Sequence, residues 1–458
     1  MGLVAGTAGR RRGGAQALAR QPRARLWLRQ RSPRRRRRDA GDAAFDALNR
    51  LGLDAAAIGN HEFDWSLDTL RARIVEAKYP FLSANITSTG GTARPDWATP
   101  WKLITKSGVK IAVIGLTTTE TPTSTAARNV QGLAFGDGAQ AIKRYLPGAR
   151  AAADFVIVVA HAGAVCDSSS GGGYVAVCHG EIIDLARQLD SGAVDLIVAG
   201  HTHLRVNTVV HGIPIIEAQS SARSIGIVDF VRVGGRREVR TQLVTPYADQ
   251  VMADTALTAA LGRQQQAVRN IVVARLKVPL KREGDEYGLG RLIADAQRAA
   301  GRADVAIMNN GGIRTDLPEG VITWGQAYQV QPFQNRILRL TVKGDVLLAA
   351  LEQCVAGRDH LPDCHVAGVE VWFDASKAPG QRVTRTRLAT GKDIDKGATY
   401  TLVVSDFMAT GGSGFKMLVG APKEDLDVLD IDALTRYLGV LRSPVDAPND
   451  VRFHRTDR

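Results

Sequence analysis

Short apolar runs recur along this chain, separated by stretches whose apolar positions fall at helical spacing. Runs of four to eight apolar residues bounded by turn residues read as buried strands, and a three-to-four spacing reads as helix. The pattern predicts a helix over 43–52 entering a strand over 54–58. A second helix is predicted from Ser66 to Ala77, with Leu67, Leu70, Ile74 and Ala77 on one face and Ser66 as its N-cap. Strands follow over 81–86, 101–104 and 110–116. A helix over 139–153 precedes a strand that ends at His161, and a helix over 181–189 precedes a strand that ends at Gly200. From Val206 to Val244 the pattern turns to β.

Residues 249–270, with Leu257, Leu261, Gln265 and Val268, read as a polar linking helix. Beyond it, helices are predicted over 287–300, 344–354 and 431–441, and strands over 304–308, 336–342, 369–373, 382–388 and 400–404. No internal repeat is present. Length alone leads to the expectation of two or three domains. The proposed division is 1–38 as a basic arm, 39–248 as a first domain, 249–270 as the linker and 271–451 as a second domain.

An apolar content of 45% and a charged content of 23% are those of a globular protein. No apolar run is long enough to cross a bilayer. The net charge of +13 is carried by residues 1–38, which hold thirteen arginines, no lysine and no acid, so the remainder is formally neutral. Such an arm, taken at face value, binds nucleic acid or an acidic surface, or acts as a localisation tag. Its arginine-only, Gly/Ala-rich make-up has no hydrophobic periodicity. It is read instead as a disordered or mistranslated start, and no specific nucleic-acid partner is expected. Oligomeric state has no signature in the sequence.

The candidate chemistry lies at strand ends. Gly59-Asn60-His61-Glu62-Phe63-Asp64, Ala160-His161-Ala162-Gly163 and Gly200-His201-Thr202-His203 each follow an apolar run. Ligand sites form at strand carboxyl ends in α/β sheets. Neutral imidazole and amide oxygen are ligands for Zn, Mn, Fe, Co or Ni. Three histidine-bearing strand ends therefore point to a divalent-metal hydrolytic site. The four cysteines form two close pairs flanking loops, Cys166 with Cys178 and Cys354 with Cys364. Two local disulfides in an oxidising compartment are expected, the alternative being four buried thiols.

These motifs, with Asn309-Asn310-Gly311-Gly312-Ile313-Arg314, Gln331-Pro332-Phe333-Gln334-Asn335 and Asp406-Phe407-Met408-Ala409-Thr410-Gly411-Gly412-Ser413-Gly414-Phe415, occur in an order that resembles the 5′-nucleotidase family of metallophosphoesterases. That family includes UDP-sugar hydrolases and 2′,3′-cyclic nucleotide phosphodiesterases. The resemblance implies an α/β fold: a four-layer α/β/β/α sandwich, a linking helix and a second α+β nucleotide-binding domain. It implies a periplasmic, secreted or cell-surface location and hydrolysis of nucleotide phosphate esters by a metal-bound hydroxide.

Carried over residue by residue, the resemblance gives His61 and Asp64 as a catalytic pair. Asn60, His161 and His201 become ligands of one metal, and His203 a ligand of the other. The family's opening Asp-x-His strand has no counterpart here, and Asp42 is the one candidate for the bridging aspartate. Two divalent ions are thus implied for the family, and one for this chain as written. The same comparison makes Phe333 and Phe407 the rings that sandwich a base, and Asn309 and Asn335 hydrogen-bond donors or acceptors to its edge. Gly312 allows close backbone approach and Arg314 binds phosphate or carboxylate. Ser413 stands where many members place a ribose-binding aspartate, and Arg282 stands for an arginine before the first helix of this domain. The alternatives are a catalytically impaired nucleotide-binding protein and a thiosulfohydrolase-like enzyme on the same fold. The Phe333–Phe407 pair argues against the latter, because a sulfur substrate has no base to stack.

Overall fold

The computed structural model describes residue 45 and residues 47–457, except 92, 167–176, 221, 234–235, 248, 250–251, 260–261, 263–270 and 358–361. The basic arm and Asp42 lie outside the described residues, as does most of the predicted linking helix. The fold is mixed α/β and forms two compact units. Among the described residues, those within 1–62, 67–121 and 132–261 make the first, and those within 63–66, 122–131 and 262–458 the second.

The first unit is organised by a six-stranded sheet. Its order is Arg205–Val210, Ile213–Ala218, Leu196–Ala199, Phe155–His161, Val109–Thr117 and Trp101–Lys106. The four inner strands run parallel and the outer two pair antiparallel. Parallel strands covered on both faces require near-continuous apolar runs. The run Ala112, Val113, Ile114 and Leu116, with Phe155, Val156 and Val158, is accordingly buried. Helices Gly138–Ala152 and Glu181–Arg187 cover the sheet with Ala139, Ile142, Ile182 and Ile183. Asp137 caps the first of these by accepting from the Gln140 N–H.

The predicted strand over 54–58 is shorter than expected. Ala56–Ala57 pairs parallel with Phe81–Leu82. Leu82 passes so close to Val109–Thr117 that a Cβ on Gly115 would lie 2.3 Å from it. Helix Leu67–Glu76 presents the predicted face, with Leu70 buried and Leu67 and Ile74 half-buried.

The second unit is built on a five-stranded sheet of order Cys364–Ala367, Val305–Asn309, Thr399–Ser405, Arg336–Lys343 and Lys423–Leu429. Helix Gly288–Gly301 buries Leu289, Leu292, Ile293 and Ala296, a three-to-four stripe. Helices Gly344–Cys354 and Asp430–Val440 match the predicted ones to within a residue. Sequence patterning missed the strands Val272–Leu276, Gly320–Thr323, Cys364–Ala367, Lys423–Leu429 and Phe453–Arg455, and helix Trp324–Val330. That helix opens with a capping box between Thr323 and Gln326. Among the described residues no helix is long and apolar enough to cross a membrane.

The expectation of two disulfides is half met. Cys166 and Cys178 are bonded, joining the short paired strands Val165–Cys166 and Cys178–His179. Cys354 and Cys364 are thiols. Cys354 ends its helix and Cys364 begins its strand, and both pack into the apolar core. There burial, with the neighbouring Cys354 thiol, pushes the Cys364 thiol far above the usual range and disfavours the thiolate that disulfide formation requires.

His365 is fully buried opposite Met308, its ring edge-on to Tyr287 at 4.2 Å between centroids, and among the described residues neither ring nitrogen has a hydrogen-bond partner. Burial, helped by the Arg291 and Arg452 charges, lowers its pKa to about 3. The unfolded chain takes up a proton near the ordinary value of about 6.5 and the folded chain does not. Stability carried by the neutral ring is therefore complete above that value and is lost as pH falls toward 3. Between pH 7 and pH 5 the loss expected from this group is about 2 kcal/mol. Urea unfolding of wild type and His365→Phe at both pH values measures it. The variant should lack that part of the pH dependence, and equal slopes would show that the ring is not held neutral.

Candidate active site

In the first unit the parallel register places Thr117 opposite His161 and carries Ala199 to the same edge of the sheet. Three segments meet there. The turn Asn60–Phe63 follows the strand Ala56–Ala57 and buries Asn60. His161 is the last residue of its strand. His201 and His203 lie just beyond Leu196–Ala199 with φ of 82° and 62°. A left-handed backbone is uncommon for residues other than glycine and concentrates at functional turns.

The donor atoms converge. His161 Nε2 lies 2.9 Å from Asn60 Oδ1 and 3.2 Å from His201 Nδ1. His201 Nε2 lies 3.4 Å from Glu120 Oε2. Burial lowers the His161 pKa to about 3, and the surrounding His201, His61 and His203 rings add to the shift. The hydrogen bond to His201 holds the Glu120 carboxyl below its usual range. A neutral imidazole and an amide oxygen are both ligand forms.

The approach is close enough to require glycine twice. A Cβ on Gly59 would lie 2.6 Å from the His161 ring, and one on Gly163 would lie 2.3 Å from the Gly200 carbonyl oxygen. The loop bearing His201 and His203 is pinned from below. Glu217, buried beside Ala199 in the register, accepts from Thr202 Oγ1 at 2.9 Å and from the Ala164 and Leu204 N–H groups. Burial raises its pKa. Among the described residues no group of three or more His, Cys, Asp and Glu side chains is arranged to hold a metal ion, and the donors that converge are two imidazoles and an amide.

His61 is exposed at the start of its turn. Asp64 belongs to the second unit, where its carboxylate accepts from Thr125 Oγ1 at 3.2 Å and its carbonyl from Asn129 Nδ2 at 2.9 Å.

The remaining candidates lie in the second unit. Asn309 ends its strand and donates through Nδ2 to Ser413 Oγ at 3.1 Å. The turn Asn310–Gly312 leads to Arg314, whose guanidinium lies 5.5 Å from the Phe333 ring centroid and donates to the Gly311 carbonyl. Arg282 is tied to the same loop through Ile313 O at 3.0 Å and Asp316 Oδ1. The Phe407 ring packs so tightly on Gly412 that a Cβ there would be 2.4 Å away. Asn335 bonds to buried Asp430. The structure thus groups Asn309 with Ser413, Arg282 with Arg314 and Phe333, and Asn335 with Asp430.

Sequence reasoning missed Glu120, Glu217 and Asp430. Each touches a candidate residue from a distant segment, and no local spacing announces it.

Residues 272–420 match the family model described as 5′-nucleotidase, C-terminal domain. Residues 31–216 match that of bacterial capsule synthesis protein PGA_cap. The chain is 30% identical over 443 residues to endonuclease YhcR of Bacillus subtilis (strain 168), covering 88% of this chain and 34% of that protein. It thus spans about a third of that relative's length. It is 29% identical over 453 residues to protein UshA of Yersinia enterocolitica, covering 88% of this chain and 80% of that one. The solved 5′-nucleotidase precursor from Thermus thermophilus matches with a TM-score of 0.78 at 26% identity, over 92% of this chain and 87% of that one.

The close approaches give a packing test. Gly163→Ala should lower the unfolding free energy by about 1–3 kcal/mol, because backbone atoms must move. Gly148→Ala, on an exposed helical position with open space around it, should leave stability unchanged or raise it by up to about 1 kcal/mol. Denaturant titration of the two variants reads the difference, and equal effects would contradict the tight strand-end geometry.

Proposed function

We propose, from the premise that this chain belongs to the 5′-nucleotidase family and is a phosphoester hydrolase, that it removes phosphate from nucleoside 5′-phosphates or related nucleotides in a metal-dependent reaction. The observation that carries this reading is the convergence of Asn60 Oδ1, His161 Nε2 and His201 Nδ1 within 3.2 Å steps at one sheet edge. The donor set fits a divalent cation. Neutral nitrogen and amide oxygen ligands suit Zn, Mn, Fe, Co or Ni. Asn60, His161 and His201 would hold it, with His203 next to them. The chemistry such an ion supplies is neutralisation of phosphate charge and activation of water.

The chain's own residues do the rest. His61, exposed beside Asn60, donates a hydrogen bond to the phosphate and a proton to the leaving oxygen. Asp64, three residues on in the chain, is its orienting carboxylate in this proposal. In the proposed division of labour, residues 39–248 carry the hydrolytic site and residues 271–451 the nucleotide site. Phe333 and Phe407 stack the base, a contact that by itself does not read base identity. Arg314, with Arg282 hydrogen-bonded to its loop, presents its planar fork to a phosphate or carboxylate. Asn309 and Asn335 meet the base edge, and Ser413 the ribose. The Cys166–Cys178 bond fits a periplasmic, secreted or surface location, because disulfides persist in oxidising compartments.

Phosphate release from AMP with added Mn²⁺ tests the reading. His61→Ala should lower kcat by about 10²–10⁴-fold while the AMP dissociation constant stays within a few-fold of wild type. Phe333→Ala should act chiefly on KM. Wild-type binding without any turnover would leave a nucleotide-binding protein, and turnover independent of His61 would remove it from the chemistry.

A further inference from the structure

Asp430 is 2% exposed at the junction of strand Lys423–Leu429 and helix Asp430–Val440. It is clamped to Asn335 from both sides. The Asp430 N–H donates to the Asn335 carbonyl at 2.9 Å. Asp430 Oδ2 accepts the Asn335 N–H at 3.3 Å and its side-chain Nδ2–H at 3.2 Å. Asp430 Oδ1 accepts the Ile431 N–H at 2.7 Å. Both carboxyl oxygens are therefore committed as acceptors.

A side-chain amide has a donor end and an acceptor end, and which end faces outward is set by its partners. Here the donor end is bound by Asp430. Asn335 Oδ1 has no hydrogen bond among the described residues, and the side chain is only half-buried.

We propose that Asp430 is a positioning residue that locks the Asn335 amide with Oδ1 outward, so that this edge of the nucleotide site accepts hydrogen bonds and selects bases that offer an N–H donor there. The inference rests on the reading that Asn335 meets the base edge. A base with an exocyclic amino group satisfies the acceptor. A base without a donor leaves Oδ1 unpaired, which costs about tenfold in affinity. Asp430→Asn reverses the arrangement. Its one carbonyl oxygen stays with the Ile431 N–H, the shorter bond, and its Nδ2 then faces Asn335 and turns Oδ1 of that residue inward.

Calorimetric dissociation constants of the full chain for AMP, purine riboside 5′-phosphate and N6,N6-dimethyl-AMP test this without requiring turnover. The two analogues lack the amino N–H donor. Wild type should bind AMP about tenfold more tightly than either. Asp430→Asn should reduce that ratio to about one or invert it. In an Asn335→Ala background the ratio should be about one with or without the Asp430 change, because Asp430 acts only through Asn335. A wild-type ratio of about one would overturn the outward acceptor even if Asp430→Asn does not fold. A full ratio retained in Asn335→Ala would instead overturn the base-edge reading. A full ratio retained in Asp430→Asn but lost in Asn335→Ala would overturn the role of Asp430 alone.

Discussion

The parallel pairing of three strands, Val109–Thr117, Phe155–His161 and Leu196–Ala199, is the constraint on which the candidate site depends. A parallel ladder puts every carboxyl end on one side of the sheet, and side chains just past those ends share one space. His161 and His201 are far apart in sequence, yet their ring nitrogens lie 3.2 Å apart because their strands are neighbours in register. Asn60 joins them through the short strand Ala56–Ala57, whose following residue Ile58 accepts from Thr117 Oγ1 at 2.7 Å. A register slip of one residue would turn each ring to the other face of the sheet.

That register fixes the electrostatics too. Bringing His161 out of water beside other imidazoles makes its charged form unfavourable, so that ring is held as a neutral donor. Glu217 anchors the loop through Thr202, and Glu120 the His201 ring. The second unit follows a related logic at its own strand ends. Asn309 ends Val305–Asn309, Asp406 follows Thr399–Ser405, and Asn335 precedes Arg336–Lys343, which is antiparallel to its neighbour.

Much of this was legible in the chain. Unbroken apolar runs marked the central strands, and a three-to-four stripe marked helix Gly288–Gly301. Polar residues at strand ends, Asn60, His161 and His201, announced chemistry because buried polar groups need partners. The unread parts have physical reasons. Lys423–Leu429 is rich in acids because it is an edge strand, so no apolar alternation reveals it. Helix Trp324–Val330 carries a Thr-x-x-Gln signature that was there to be read. Cys354 and Cys364 have a loop spacing close to that of the bonded Cys166 and Cys178, and spacing alone does not tell two thiols from a bond. Glu217 and Asp430 act across long sequence distances, where pairing rather than spacing decides.

Anomalous diffraction from crystals of the full chain grown with Mn²⁺ decides whether these three donors form a metal site. The metal-site assignment requires a peak at coordination distance from Asn60 Oδ1, His161 Nε2 and His201 Nδ1 together, abolished by His161→Ala. A Mn²⁺ peak elsewhere that leaves these three atoms without metal, or a peak at them that survives His161→Ala, would contradict it.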